Sequence, residues 1–293
     1  MMKRNYLSLT LFLLLVVSST ILGKTEADMN WSVQPELGII KGDYYKAERL
    51  FRQGHMGTVE VVKYNDDIVF VEFNERTRPN YYNRYYQDVP KRLSDYNFSM
   101  GKIKGAAWIE SVLLVEKQMI DGQRITGDFD MVAGASNSIN QSMIPLAEEI
   151  DGVLSEGSDV KYYSIAEKFD GGITGRLQLT IKDGKIIWCH YDEIFADDPA
   201  DISPRPFKKY YGESKYASVV YDEPSRIGFN IQIDALNEKV IKTQNLFDLE
   251  GLPATGASGD YATTGFTIRN EAWDRYLDLA RELLDEVEKD GVL

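Results

Sequence analysis

The chain has 293 residues, 43% of them apolar and 12% aromatic, which is enough to build packed cores and argues against compositional disorder. Its formal charge of −13 disfavours nucleic acid and anionic lipid head groups as partners, and no basic stripe offsets it. A single cysteine, Cys189, excludes a disulfide within the chain; it lies in an alternating stretch and reads as a small core residue.

The N-terminus has the order of an export signal. Lys3 and Arg4 precede the apolar run Leu7–Val17, and the small polar residues Ser18-Ser19-Thr20 follow. The run is short for a full span. Residues 1–27 are therefore expected to be a signal peptide or an N-terminal membrane anchor, cut after Gly23 or Ala27 if it is cut. Without Lys3 and Arg4 the charge becomes −15 (−13 minus 2).

The remainder reads as a duplication. Tyr44-Tyr45 recurs as Tyr162-Tyr163, 118 positions on (162 minus 44). At the same spacing Phe51 meets Phe169, Gly54 meets Gly172, Gly57 meets Gly175, and Glu75 meets Glu193. Leu177, Leu179 and Ile181 alternate with polar residues, the period of a half-buried strand. Asp183-Gly184 then makes a hairpin turn, and Asn65-Asp66 takes that place in the first copy. Tyrosine-rich connectors follow, with Tyr85-Tyr86 in one copy and Tyr210-Tyr211 in the other; they offer surface packing or a platform for a planar ring.

Helices come next. Trp108, Val112, Val115 and Met119 share one helical face, and Ile227, Ile231, Leu236 and Val240 form the expected stripe of the second copy. Each copy closes with a further helix. Its buried residues are expected to be Ile139, Met143, Leu146, Ile150 and Val153 in the first, and Trp273, Leu277, Ala280, Leu284 and Val287 in the second. The fold class is α+β: two tandem homologous domains, 28–155 and 156–293, each a small antiparallel sheet with a hairpin packed against helices.

Before the closing helix of the first copy stands Asp130-Met131-Val132-Ala133-Gly134-Ala135-Ser136, and the second copy has Thr255-Gly256-Ala257-Ser258. Each is a small-residue loop ahead of a helix N-terminus, where backbone approach is easy and an anion is favoured. The first run resembles the attachment motif of FMN-binding domains. These domains occur in a subunit of bacterial sodium-pumping quinone reductases, in related electron-transfer complexes and in exported flavoproteins of extracellular electron transfer. The resemblance covers roughly residues 37 to 290. It implies that Ser136 carries FMN through its phosphate, that Asp130 is read by a flavin transferase, and that Gly134 and Ala135 shape the loop. Thr255, Gly256, Ala257 and Ser258 would form a second site. Three departures stand out: Ala133 and Ser136 where hydroxyl residues and threonine are commoner, and Leu252 where the second copy needs the aspartate.

The resemblance implies an electron carrier outside the cytoplasmic membrane rather than a substrate-specific enzyme. Its partners would be the transferase and a membrane or extracellular redox protein, with no nucleic acid. A non-catalytic ligand- or protein-binding module of the same fold that has lost flavin is the alternative, and a flavin-dependent reductase with its own small substrate is a third. Leu252-Pro253-Ala254-Thr255-Gly256 resembles a cell-wall sorting signal, but an acidic amphipathic helix follows it instead of an apolar segment and a basic tail. With two histidines, His55 and His190, a metal cluster is not expected.

Overall fold

A computed structural model describes residues 31–99, 101, 105–221, 228–252 and 271–293. The export segment at residues 1–27 lies outside them. Among the described residues no helix is long and apolar enough to cross a membrane.

Three strands open each copy: β1 (Gly38–Phe51), β2 (His55–Tyr64) and β3 (Asp67–Arg76), then β4 (Val160–Phe169), β5 (Ile173–Lys182) and β6 (Lys185–Phe195). Both hairpin turns need positive φ at two successive residues, and they have it: Asn65 and Asp66 at 50° and 72°, Asp183 and Gly184 at 52° and 68°. The α+β class stands as the sequence implies. The two copies do not form separate sheets, however. Their first strands pair antiparallel, from Gly38 opposite Ala166 to Asp43 opposite Lys161, giving one six-stranded sheet ordered β3-β2-β1-β4-β5-β6. The pairing closes what would otherwise be an open edge on each half. Asp43 and Lys161 are matched positions 118 apart, so they face each other across the pseudo-two-fold axis, where they form an ion pair.

Helix α1 (Trp108–Asp121) follows β3. The closing helix of the first copy, here α2, is a continuous run: Ser136–Ser138 in α geometry, Ile139–Met143 in π geometry and Ile144–Asp151 in α geometry again. In the second copy α3 (Phe229–Thr243) and α4 (Glu271–Lys289) take these parts. All four pack on the same face of the sheet. Val59, Val61, Val71 and Phe73 meet α1 and α2, whereas Ile165, Leu177, Leu179 and Tyr191 meet α3 and α4. Each fully buried aliphatic side chain of these cores contributes about 1.5–3 kcal/mol. Cys189 lies in the second core.

The stripe of α1 is as expected; that of α3 holds at Leu236 and Val240 but not at Ile231, and Ile227 lies outside the described residues. Ile231 is exposed, and Phe229, Ile233, Leu236 and Val240 are buried. The apolar residues of this segment fit two registers, and contact with β6 selects the one led by the larger Phe229. In the closing helices Val153 is exposed beyond the end of α2, and α4 buries Tyr276, Leu279 and Leu283 along with Trp273, Ala280 and Val287. Leu277 and Leu284 sit at the margin of that core.

The halves repeat down to single hydrogen bonds. Tyr45 donates its hydroxyl to Leu154 O (3.3 Å), just past α2, and Tyr163 donates to Asp290 (2.8 Å), just past α4. A Cβ on Gly57 would lie 1.8 Å from Ser142 Oγ on α2; one on Gly175 would lie 2.5 Å from the Phe169 ring and 3.3 Å from Leu279 on α4. Glycine at this matched position lets the closing helix settle on the sheet in each half. Beyond β3 the chain returns to pair Lys91 N with Glu75 O (2.8 Å), and beyond β6 it pairs Lys215 N with Glu193 O (2.8 Å).

The face away from the helices is curled inward. Tyr162 on β4 stacks on Tyr44 of β1 and also on Phe70 of β3, two strands further away, both at 5.6 Å between ring centroids. Arg176 of β5 reaches Glu72 of β3 (2.8 Å). Such contacts between non-adjacent strands require strong curvature, and the residues they enclose are largely polar.

Candidate functional site

The residues singled out by the motif follow α1 directly. Gln118, near the end of α1, holds the backbone of Asp130 from both sides: its Oε1 accepts from Asp130 N (2.8 Å) and its Nε2 donates to Asp130 O (2.9 Å). Arg124 donates to Thr126 O (2.6 Å) and Asp128 O (2.8 Å), and its guanidinium lies 4.6 Å from the Phe129 ring centroid. Ser111 Oγ donates to Val132 O (3.0 Å). The loop is thus bound along its length to α1, and the Asp130 side chain is left exposed.

Gly134 then adopts φ +130°, a conformation side chains rarely take, and turns the chain into α2. Ala135 is 1% exposed and packs into the first core; its carbonyl accepts from Ile139 N (2.9 Å). Ser136 is the first helical residue and is exposed. The N-cap is alanine, and no side chain among the described residues caps this helix start. The first backbone N–H groups therefore lack the usual hydroxyl or carboxylate acceptor. Asp130, Gly134, Ala135 and Ser136 thus belong to one tethered loop and helix entry.

Buried next to that entry is a charged and aromatic group that the sequence did not single out. Ser138 Oγ accepts from Trp108 Nε1 (3.2 Å). Lys91 Nζ lies 5.6 Å from the Trp108 ring centroid and 4.8 Å from that of Tyr96, and it pairs with Glu75. Glu75 Oε1 is also 3.4 Å from His55 Nδ1, while Oε2 has no hydrogen-bond partner among the described residues. Burial lowers the Lys91 pKa more than Glu75 raises it. Tyr81 contacts Tyr96 hydroxyl to hydroxyl (3.2 Å) and meets His55 edge-on at 5.7 Å. Of the tyrosine-rich connector, Tyr86 and Tyr96 are core, whereas Tyr82 is 81% exposed.

Glu193 and Lys215 repeat the pair in the second half, with Tyr191 (2.8 Å) and Arg275 (3.1 Å) as further donors to Glu193. Here burial would lower the Lys215 pKa, but the Glu193 carboxylate raises it overall. The match of Glu75 with Glu193 was the signal in the sequence; their lysine partners follow loops of unequal length and fall out of register.

Thr255, Gly256, Ala257 and Ser258 lie outside the described residues. Their flanks differ from the first copy. Leu252, at the aspartate position, is 6% exposed in the second core. Asp248 pairs with Lys239 (2.8 Å) and accepts from Glu250 N (3.3 Å). The closing helices match at an offset of 137 (279 minus 142), read from what Gly57 and Gly175 face. Trp273 therefore matches Ser136, and Ser258 stands 15 positions (273 minus 258) before it.

No family model and no curated protein matches the chain. Among solved structures, the CPE2226 protein from Clostridium perfringens is similar with 23% identity and a TM-score of 0.31, over 40% of this chain and 91% of that one. A likeness of that size carries no argument about fold or function.

Proposed function

We propose that the chain is an exported flavoprotein that carries FMN on Ser136 and relays electrons outside the cytoplasmic membrane. A flavin transferase would attach the group, and a membrane or extracellular redox protein would exchange electrons with it. The observation that carries this reading is the helix entry itself. Ser136 presents an exposed hydroxyl at the first turn of α2, and Ala135 leaves that turn without a side-chain cap. Uncapped N–H groups at a helix start suit a phosphate. A phosphoester to Ser136 Oγ would place the phosphate beside them, so the donor set fits the group.

Bound FMN supplies the electron chemistry of its ring, and the chain supplies attachment, orientation and local charge. Gly134 and Ala135 let the backbone turn without obstructing the hydroxyl. Asp130 stands exposed on a loop that Gln118 holds still, a fixed carboxylate of the kind a transferase could read.

Intact mass of the protein from a host co-expressing a flavin transferase tests the reading. The expected result is a gain of one FMN less one water, located on the peptide spanning Asp130 to Met143 and lost in Ser136→Ala. An unmodified wild-type peptide from that host would refute it.

A further inference from the structure

The closing helix of the first half carries one residue more than its period allows. Ser138 and Ile139, Ser142 and Met143, Leu146 and Ala147, then Ile150 are buried, so the inward face returns every four positions. An α-helix returns to the same face every 3.6 residues, so three turns take about 11 residues. Ser138 to Ile150 spans 12 (150 minus 138). The π turn over Ile139–Met143 supplies the difference: Ile144 N–H donates to Ile139 O, five residues back. Helix α4 has no such turn. It is α from Glu271 to Lys289 and buries Trp273, Tyr276, Ala280, Leu283 and Val287 at spacings of three and four.

Proline accounts for the turn. Pro145 has no N–H, and in an unbroken α-helix its ring would press on the carbonyl four residues before it, that of Gln141. Widening the turn ahead of Pro145 relieves that clash. Gly57 gives the wider turn its room, because a Cβ there would lie 1.8 Å from Ser142 Oγ. Between Glu271 and Lys289 α4 holds no proline.

The extra residue decides which way Ser136 faces. The offset of 137 (280 minus 143) that pairs Met143 with Ala280 and Leu146 with Leu283 also pairs Ser136 with Trp273, which is 5% exposed. Run as an unbroken α-helix, α2 would therefore turn Ser136 towards the core. With the π turn in place the inward position passes to Ala135, 1% exposed, and Ser136 stands outside. Single π turns within α-helices recur at functional sites. We infer that Pro145 is a positioning residue: it enforces the π turn and so presents the Ser136 hydroxyl for modification. That purpose rests on the flavin reading, whereas the facing of Ser136 does not.

Maleimide labelling of the full chain reads the facing directly, because Cys189, the single native thiol, is 0% exposed. The Ser136→Cys variant should react quickly. The Ser138→Cys variant, at a position 8% exposed, should react about tenfold or more slowly, through local opening alone. Adding Pro145→Ala lets the first turn rotate by one residue, about 100°, which should slow the first variant and speed the second. Deleting Gln141 as well should restore the original rates, because a regular helix one residue shorter presents the wild-type face. In a host with a flavin transferase, Pro145→Ala should lose most of the FMN label on Ser136 that the wild type carries. A wild type without label refutes the flavin reading and leaves the thiol test standing. The assignment is overturned if the two rates do not move in opposite directions on adding Pro145→Ala, as when a loosened helix exposes both thiols. Exchanged rates that persist after the deletion, or an undiminished FMN label on folded Pro145→Ala, overturn it too.

Discussion

The two halves agree most closely where a side chain serves the backbone. Asn74 Oδ1 accepts from Glu75 N (2.8 Å) and Arg92 N (3.1 Å); at the matched position Asp192 Oδ1 accepts from Glu193 N (2.8 Å) and Tyr216 N (3.1 Å). They diverge on the enclosed face and at the entry to the closing helix. Glu60 answers to Gln178, Glu72 to His190, Asp130 to Leu252 and Ser136 to Trp273. After duplication, residues that satisfy strand and helix ends stay bound to the geometry of those ends. Residues that face a cavity or an exposed turn are free to take different chemistry, so the differences point to function more directly than the identities do.

The largest expected effect concerns attachment. With a transferase present, Ser136 should be labelled far more completely than Ser258, and Ser136→Ala should remove its label altogether. Quantifying the two peptides decides the matter, and equal occupancy would break the asymmetry argued from Asp130 and the helix register. Leu252→Asp restores the second motif on paper. Leu252 is a core residue, however, and an unpaired carboxylate there would destabilise the second half before it could recruit a transferase.

Next in size is the response of the buried lysine pairs. Glu193→Ala would leave Lys215 and Arg275 without their shared carboxylate, a loss of about 3–5 kcal/mol. Glu75→Ala should be milder, about 1–3 kcal/mol, because burial already lowers the Lys91 pKa and the amine can shed its proton. Urea unfolding of both variants tests the ranking, and a larger loss from Glu75→Ala would reverse it.

The hairpins, both turns and the duplication were legible because strand alternation and positive-φ turns are local signals. Joining the halves through β1 and β4 was not, since Gly38–Asp43 pair with residues more than a hundred positions away. The stripe of α3 fails at one position for a similar reason: Ile231 is as apolar as Ile233, and only the sheet tells them apart. The loop from Asp130 to Ser136 was legible as a motif, but its tethering by Gln118 and the buried Lys91–Glu75 pair below it depend on tertiary contacts that a motif does not contain. The change from an offset of 118 to one of 137 was discoverable, by sliding the closing helices until Ile139, Met143, Leu146 and Ile150 met Tyr276, Ala280, Leu283 and Val287.

Glu72 and His190 share a matched position but should fail at different pH. Burial, with Arg176 nearby, lowers His190 from 6.5 to about 3, so below pH 6.5 the unfolded chain takes up a proton the folded one refuses. Its contribution is complete above pH 6.5 and is lost as pH falls towards 3. Glu72 is also depressed, to about 2, so its contribution is complete above about pH 4.5 and is lost only below that. Between pH 6.5 and 4.5 His190→Gln should flatten the fall in stability by on the order of 2 kcal/mol, and it should do so equally in a Glu72→Gln background, because Glu72 does not itself titrate in that window. Chemical denaturation across this window measures both, and equal slopes in wild type and His190→Gln would remove the distinction.

The smallest effect is the sharpest test of equivalence. Gln123 follows α1 in a left-handed conformation (φ 50°), and Gln244 follows α3 in the same way (φ 55°). Gln123 accepts from Ile68 N (2.7 Å) and donates to Ile68 O (3.0 Å); Gln244 accepts from Ile186 N (2.8 Å) and donates to Ile186 O (2.9 Å). Each amide therefore pairs with a backbone unit of an edge strand, β3 or β6, just as a neighbouring strand would. It also donates to the last turn of its own helix, at Ile120 O (2.8 Å) and Ile241 O (2.6 Å). Replacement by alanine leaves these groups close to water, so each should lose only about 1 kcal/mol. Because the geometry is the same, Gln123→Ala and Gln244→Ala should agree within about 0.5 kcal/mol, and the double variant should show the sum, the sites being far apart on opposite edges of the sheet. A clear excess in either half would mean that the two clamps, despite matching bond for bond, hold edges of different intrinsic stability.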